Sequence, residues 1–213
     1  MIAARKSISQ RSRPTPQTGA TPPDAASLRE AALAHLARYA TTRASLTAVL
    51  DRRIRRWSAR AAALGDPDAV AATAGALRET VRALVRTLAE GGLVNDRTFA
   101  EGRARRLAGA GRSRSAILMH LAARGVERTL AEESAPADEE TELLAALAYA
   151  RRRRCGPFRV APAGSASETP AAARDLAAFG RAGFRHDIAR RVLNMTAEDA
   201  KQQLEAAKAD WSR

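Results

Sequence analysis

The sequence predicts an all-α protein: an elongated, right-handed array of three tandem three-helix repeats behind a disordered N-terminal tail. Three observations predict it. No segment alternates apolar and polar residues as a half-buried strand does, whereas apolar residues recur at three- and four-residue spacing along most of the chain. Glycine followed by an apolar residue and a polar pair recurs between helical stretches, at Ala123-Arg124-Gly125-Val126-Glu127-Arg128 and Arg181-Ala182-Gly183-Phe184-Arg185-His186-Asp187. The helical stretches are too short to be stable alone, so neighbours must supply their core.

Residues 1–26 hold Pro14, Pro16, Pro22 and Pro23 and almost no core formers, a composition that cannot order itself. Repeat 1 spans 27–90. Ser27 is the expected N-cap of a helix with Leu28, Ala32, His35, Leu36 and Tyr39 on one face. After a break at 41–45, Leu46, Val49, Leu50 and Ile54 mark a second helix. Its later half carries Arg52, Arg53, Arg55 and Arg56 beside Trp57, which reads as a core-edge anchor. Gly65-Asp66-Pro67 is a turn, and a longer helix covers 67–90 with Leu77, Val81, Leu84, Val85 and Leu88 as its stripe.

Repeat 2 spans 91–136. Asn95 and Asp96 are placed to cap a helix reaching about Leu107. Ser113 caps the next, and Gly125 ends it, with Val126 folding back on the last turn. Phe99 and Leu121 read as core, as do Phe184 and Ile188 later in the chain. Glu127, Glu132, Glu133, Asp138, Glu139, Glu140 and Glu142 make an acidic segment broken by Pro136. Repeat 3 spans 137–195, with a helix from about Asp138 to Arg154, a loop over 156–170, and helices near 170–180 and 186–195. Residues 196–213 form a polar C-terminal helix or tail with little apolar face, read as solvated or frayed.

Charge is the strongest functional signal. Lysine and arginine number 36 against 23 acids, a net charge of +13, and only Lys6, Lys201 and Lys208 are lysine. Such a surface favours an anionic partner, nucleic acid or an acidic protein face, in binding that weakens with salt. Cys155 is alone, so no intramolecular disulfide or multi-cysteine zinc site forms, and it reads as a packing residue. His35, His120 and His186 lack metal-ligand spacing. No cofactor is expected, and no apolar run reaches the roughly 20 residues of a membrane span. These features point to a soluble protein of a reducing, cytoplasmic compartment. There is no GxxxxGK[ST], GxGxxG or GxSxG motif, and no paired carboxylates at a spacing suited to acid–base chemistry, so an enzyme is not expected.

The segment Gly92-Leu93-Val94-Asn95-Asp96-Arg97-Thr98-Phe99-Ala100-Glu101 resembles a motif of the RecX family, bacterial regulators of the RecA recombinase. The runs from Gly111 to Val126, Arg151 to Phe158 and Arg181 to Leu193 are similar to its following segments, in the same order. Asn95 departs from the pattern, standing where an acidic residue is usual. The resemblance covers about 28–195 and is vague in the first repeat. It implies a non-enzymatic negative modulator, acting as a monomer. Such a protein lodges in the groove of the RecA–DNA filament, bridges protomers, and limits filament growth, ATP hydrolysis and strand exchange. Its partners are then the RecA filament and, weakly and salt-dependently, single- or double-stranded DNA. The contact residues expected are Arg103, Arg105, Arg106, Arg112, Arg114, Arg151, Arg152, Arg153 and Arg154. Arg103 has a second reading, since it projects from a packing face and can instead snorkel or pair with a carboxylate. The alternative function is a stand-alone basic helical DNA-binding protein that uses 96–124 as a helix-turn-helix without RecA.

Overall fold

The computed structural model describes residues 21–159 and 169–211. Among them are ten α-helices and no strand: α1 Ala25–Leu36, α2 Arg43–Ala62, α3 Pro67–Glu90, α4 Asp96–Gly109, α5 Arg114–Ala123, α6 Arg128–Ser134, α7 Glu139–Arg153, α8 Thr169–Arg181, α9 His186–Leu193 and α10 Ala197–Trp211. The basic tail read over 1–26 lies outside the described residues up to residue 20. So does most of the loop read over 156–170, of which only a 3-10 turn at Gly156–Phe158 is described before α8.

Side-chain caps fix most starts. Thr42, Asp66, Asn95, Ser113, Glu127 and Asp138 each accept a backbone N–H of the following first turn. The cap of α1 is Asp24 rather than Ser27, because Asp24 accepts from the Ser27 N–H at 2.8 Å. The expected return of Val126 occurs: its N–H bonds the Leu121 carbonyl at 3.1 Å, closing α5 around Gly125. Arg154 closes α7 in the left-handed region, at φ 52°.

Buried apolar side chains sort into three clusters along the chain. Leu28, Leu46, Leu50, Ile54, Val81 and Val85 centre the first, between α1, α2 and α3. The second, between α4, α5 and α6, is thin: five of its eight buried residues are alanine, with Ile117, Leu121 and Val126 completing it. The third holds Leu147, Phe179, Phe184, Ile188 and Val192. In it the rings of Tyr149, Phe179 and Phe184 meet pairwise at 5.1–5.6 Å.

Three expectations change. The C-terminal helix is not solvated: Ala200, Leu204 and Ala207 are buried, and Ala200 and Leu204 belong to the third cluster. Tyr39 does not continue the buried face of α1, which stops at Leu36; it is 60% exposed. Phe99 is half-buried rather than fully in the core. Trp57 at 9% exposure and Cys155 at 7% are buried as read.

Two joints of the same design link successive cores. Thr42, fully buried, caps α2 and also donates its hydroxyl to the Arg124 carbonyl at the end of α5, at 2.6 Å. Ser113, fully buried, caps α5 and donates to the Ala182 carbonyl at the end of α8, at 2.7 Å. The residue after each accepting carbonyl is a glycine at positive φ, Gly125 or Gly183. A side chain on Gly125 would overlap the Ala44 methyl; one on Gly183 would come within 2.9 Å of the Ser113 hydroxyl. Each hydroxyl thus satisfies a free helix-start donor in one repeat and a free helix-end carbonyl in the next.

Candidate functional site

The nine arginines expected to meet a partner divide into two groups. Three tie the fold together. Arg103 is half-buried on α4, and its Nε donates to Nε2 of His120 on α5 at 2.9 Å. The partner found is a ring nitrogen and not the carboxylate of the second sequence reading. Arg114 reaches across to the Glu132 carbonyl at the end of α6, at 3.2 Å, while its Nε is buried without an acceptor. Arg152 donates to the Ala110 carbonyl just after α4, and its guanidinium lies 5.7 Å from the centre of the Tyr149 ring.

The other six, Arg105, Arg106, Arg112, Arg151, Arg153 and Arg154, are exposed. None of the nine forms an ion pair with a carboxylate among the described residues. Other arginines do: Arg43 with Asp96, Arg97 with Glu133, Arg128 with Glu132 and Arg191 with Glu139. The acidic segment is therefore spent largely inside the protein, and the exposed six keep positive charge available to an outside anion. Arg112 and Arg124 stand near His120, as does Arg103. Arg124 is not among the nine expected contact residues; it caps the C-terminal end of α5 one turn after His120, as helical periodicity places it.

His120 is half-buried and not simply a surface residue. Burial first, then the charges of Arg103, Arg124 and Arg112, hold its pKa below 6.5. The neutral ring accepts from Arg103 through Nε2, so its proton sits on Nδ1. As pH falls below about 6.5 the unfolded chain protonates this ring while the folded chain resists, so stability is lost from there down through the lower folded value. Melting temperature is expected to fall between pH 7.5 and 5.5, and less steeply in His120→Gln, whose amide oxygen still accepts from Arg103. Equal slopes in calorimetry of the two proteins would contradict this. Asp24, Glu127, Asp138 and Asp187 have lowered values and titrate below that window.

Cys155 is buried, and burial, followed by the nearby Asp175 carboxylate, pushes its thiol up to about 11. At neutral pH it is protonated and unreactive. No group of three or more metal-ligating side chains converges among the described residues, and no helix among them is long and apolar enough to cross a membrane.

Comparison with known proteins fits this geometry. A family model described as the second three-helix domain of RecX matches residues 95–134, which hold α4, α5 and α6. The regulatory protein RecX of Myxococcus xanthus (strain DK1622) is 39% identical over 172 residues, covering 78% of this chain and 84% of the relative. The chain belongs to the RecX family. The regulatory protein RecX of Agrobacterium fabrum (strain C58) is 33% identical over 115 residues, covering 54% of this chain and 59% of that protein. The crystal structure of RecX from Lactobacillus salivarius superposes with a TM-score of 0.54 at 16% identity, over 85% of this chain and 97% of that one. The RecX fold therefore extends through all three helical cores, beyond the segment the family model matches.

Proposed function

We propose that this protein is a negative modulator of RecA that binds in the groove of the RecA–DNA filament and limits filament growth, ATP hydrolysis and strand exchange. The observation that carries the reading is the 39% identity to a regulatory protein RecX over most of both chains. The surface supports it: six exposed arginines without carboxylate partners suit a groove lined by phosphates or acidic side chains. The repeats at 27–90, 91–136 and 137–195 act as one insert, because each joint hydroxyl bonds two repeats at once. No catalytic step is required of it, and it acts as a monomer in the cytoplasm.

The alternative, a helix-turn-helix acting on duplex DNA alone, meets a specific obstacle. Such a motif presents the first turn of its second helix to base edges. Here the first turn of α5 is engaged within the protein: Ser113 is bonded to Ala182, Ser115 lies beside Gly183, and Arg114 is bonded to Glu132.

The test is ATP hydrolysis by RecA on single-stranded DNA with the protein added substoichiometrically. Hydrolysis is expected to fall, and the effect to weaken with added salt. An unchanged rate at low salt would refute the proposal.

A further inference from the structure

A cleft between the first and second cores is open to solvent, with Thr41, Asn95 and Thr98 lining it beside an apolar group. Its volume is about 320 Å³, and its walls include Leu36, Tyr39, Leu93, Phe99 and Gly102, with Arg106 at one side. Tyr39 is 60% exposed and Leu93 54%. A chain with only 4% aromatic residues thus leaves one of its two tyrosines in solvent beside an exposed leucine. The ring of His35 lies 5.2 Å from that of Tyr39 and supports it from the α1 side.

Gly102 is a second, independent sign that something approaches from outside. It sits inside α4, where glycine weakens a helix relative to alanine. A side-chain carbon there would meet nothing within 4 Å, so the fold does not require the glycine. Gly75 and Gly180 are equally open, but Gly102 is the one that lines this cleft. A bare helix surface at that point deepens the cleft toward the α4 backbone.

The charge around the cleft identifies the occupant. No carboxylate among the described residues lines it. Arg106 places its Nε on the Gly102 carbonyl at 3.3 Å, and its terminal nitrogens bond no group among the described residues. Arg38 and Arg105, next in sequence to Tyr39 and Arg106, are exposed. We infer that this cleft docks an acidic segment of a protein partner, with one large apolar side chain seated among Leu36, Tyr39, Leu93 and Phe99 and a carboxylate on Arg106. Two leucines in the walls and a single lining cation, with Tyr39 the one exposed ring, favour a protein segment over a nucleic-acid base, which needs open ring faces flanked by several phosphate contacts. Aromatic and arginine anchors of this kind carry most of the energy of protein interfaces. The inference rests on the proposed function, with RecA as the protein that supplies the segment, and gives Arg106 a specific role in it.

The experiment compares three full-length proteins: the natural chain, Tyr39→Ser with Leu93→Ser, and Gly102→Leu. The double variant alters exposed side chains only. Gly102→Leu fills the cleft with a good helix former, so its melting temperature should hold or rise. Two readouts are taken, the concentration giving half-inhibition of RecA ATP hydrolysis and binding to single-stranded DNA without RecA. Both variants should need roughly tenfold or more protein for half-inhibition while binding DNA as the natural chain does. Undiminished inhibition by both variants overturns the docking site and leaves the proposed function standing. Weakened DNA binding in step with lost inhibition makes the cleft a base-stacking site and overturns the protein-segment assignment. A natural chain that does not inhibit RecA overturns both readings.

Discussion

Replacing Gly111 with alanine should destabilise the protein far more than the same change at Gly75, Gly102 or Gly180. Gly111 has φ +73°, where a non-glycine residue costs about 1–2 kcal/mol. The added carbon would also sit 2.6 Å from the backbone nitrogen of Tyr149 and 3.0 Å from the Ala148 carbonyl carbon. Those are main-chain atoms in the middle of α7, so they cannot turn aside as a side chain would. Forcing α4 and α7 apart loosens the Arg152 bond to Ala110 as well. A total loss on the order of 3–4 kcal/mol follows from adding backbone strain to overpacking. The middle cluster gives little reserve, because its alanines bury little area each. Denaturant unfolding should show the midpoint shifted strongly downward. Gly102→Ala is the control: its added methyl meets nothing, and its midpoint should rise slightly or stay. Equal midpoints for Gly111→Ala and the natural chain would show that the backbone at Gly111 does not approach α7 this closely.

Reversing charge at the exposed arginines should have the opposite profile, leaving the fold intact and removing function. Arg105→Glu with Arg106→Glu, or Arg151→Glu with Arg153→Glu, changes side chains that reach no carboxylate in the protein. Helical circular dichroism and melting temperature should stay close to the natural values. Inhibition of RecA should weaken by about tenfold per reversed charge, most at low salt. Arg103→Glu should behave differently. It places a carboxylate beside a half-buried His120 that normally accepts a hydrogen bond, so it should lower melting temperature and raise the His120 pKa. If Arg105→Glu with Arg106→Glu unfolds the chain while Arg103→Glu does not, the division of these arginines is wrong.

The helices were legible because their ends are written locally. Asn95, Ser113 and Asp138 sit directly before helical periodicity, and Gly125-Val126 directly after it. What the sequence hid depends on packing between helices. Ser113 looks like an ordinary cap; that its hydroxyl also binds Ala182, 69 residues away, follows only from the docking of two repeats. Tyr39 fits the period of α1 and yet lies beyond its end, since periodicity alone does not mark where a helix stops. The buried stripe of α10 is two alanines around Leu204, which barely differ from a polar helix in hydrophobic contrast. Arginine posed the same difficulty at the site. Only Arg103 stood apart in sequence, on a packing face, whereas Arg114 and Arg152 are also engaged within the protein, with Glu132 and Ala110.

Filament length gives the most direct test of whether the protein limits RecA filament growth. RecA is assembled on long single-stranded DNA, with the protein present at a small fraction of the RecA protomers, and filament lengths are measured by electron microscopy. The expected result is a distribution shifted to shorter filaments by the natural chain and much less so by Arg105→Glu with Arg106→Glu. Filaments of unchanged length, with the natural chain folded and in excess of the available filament ends, would contradict it.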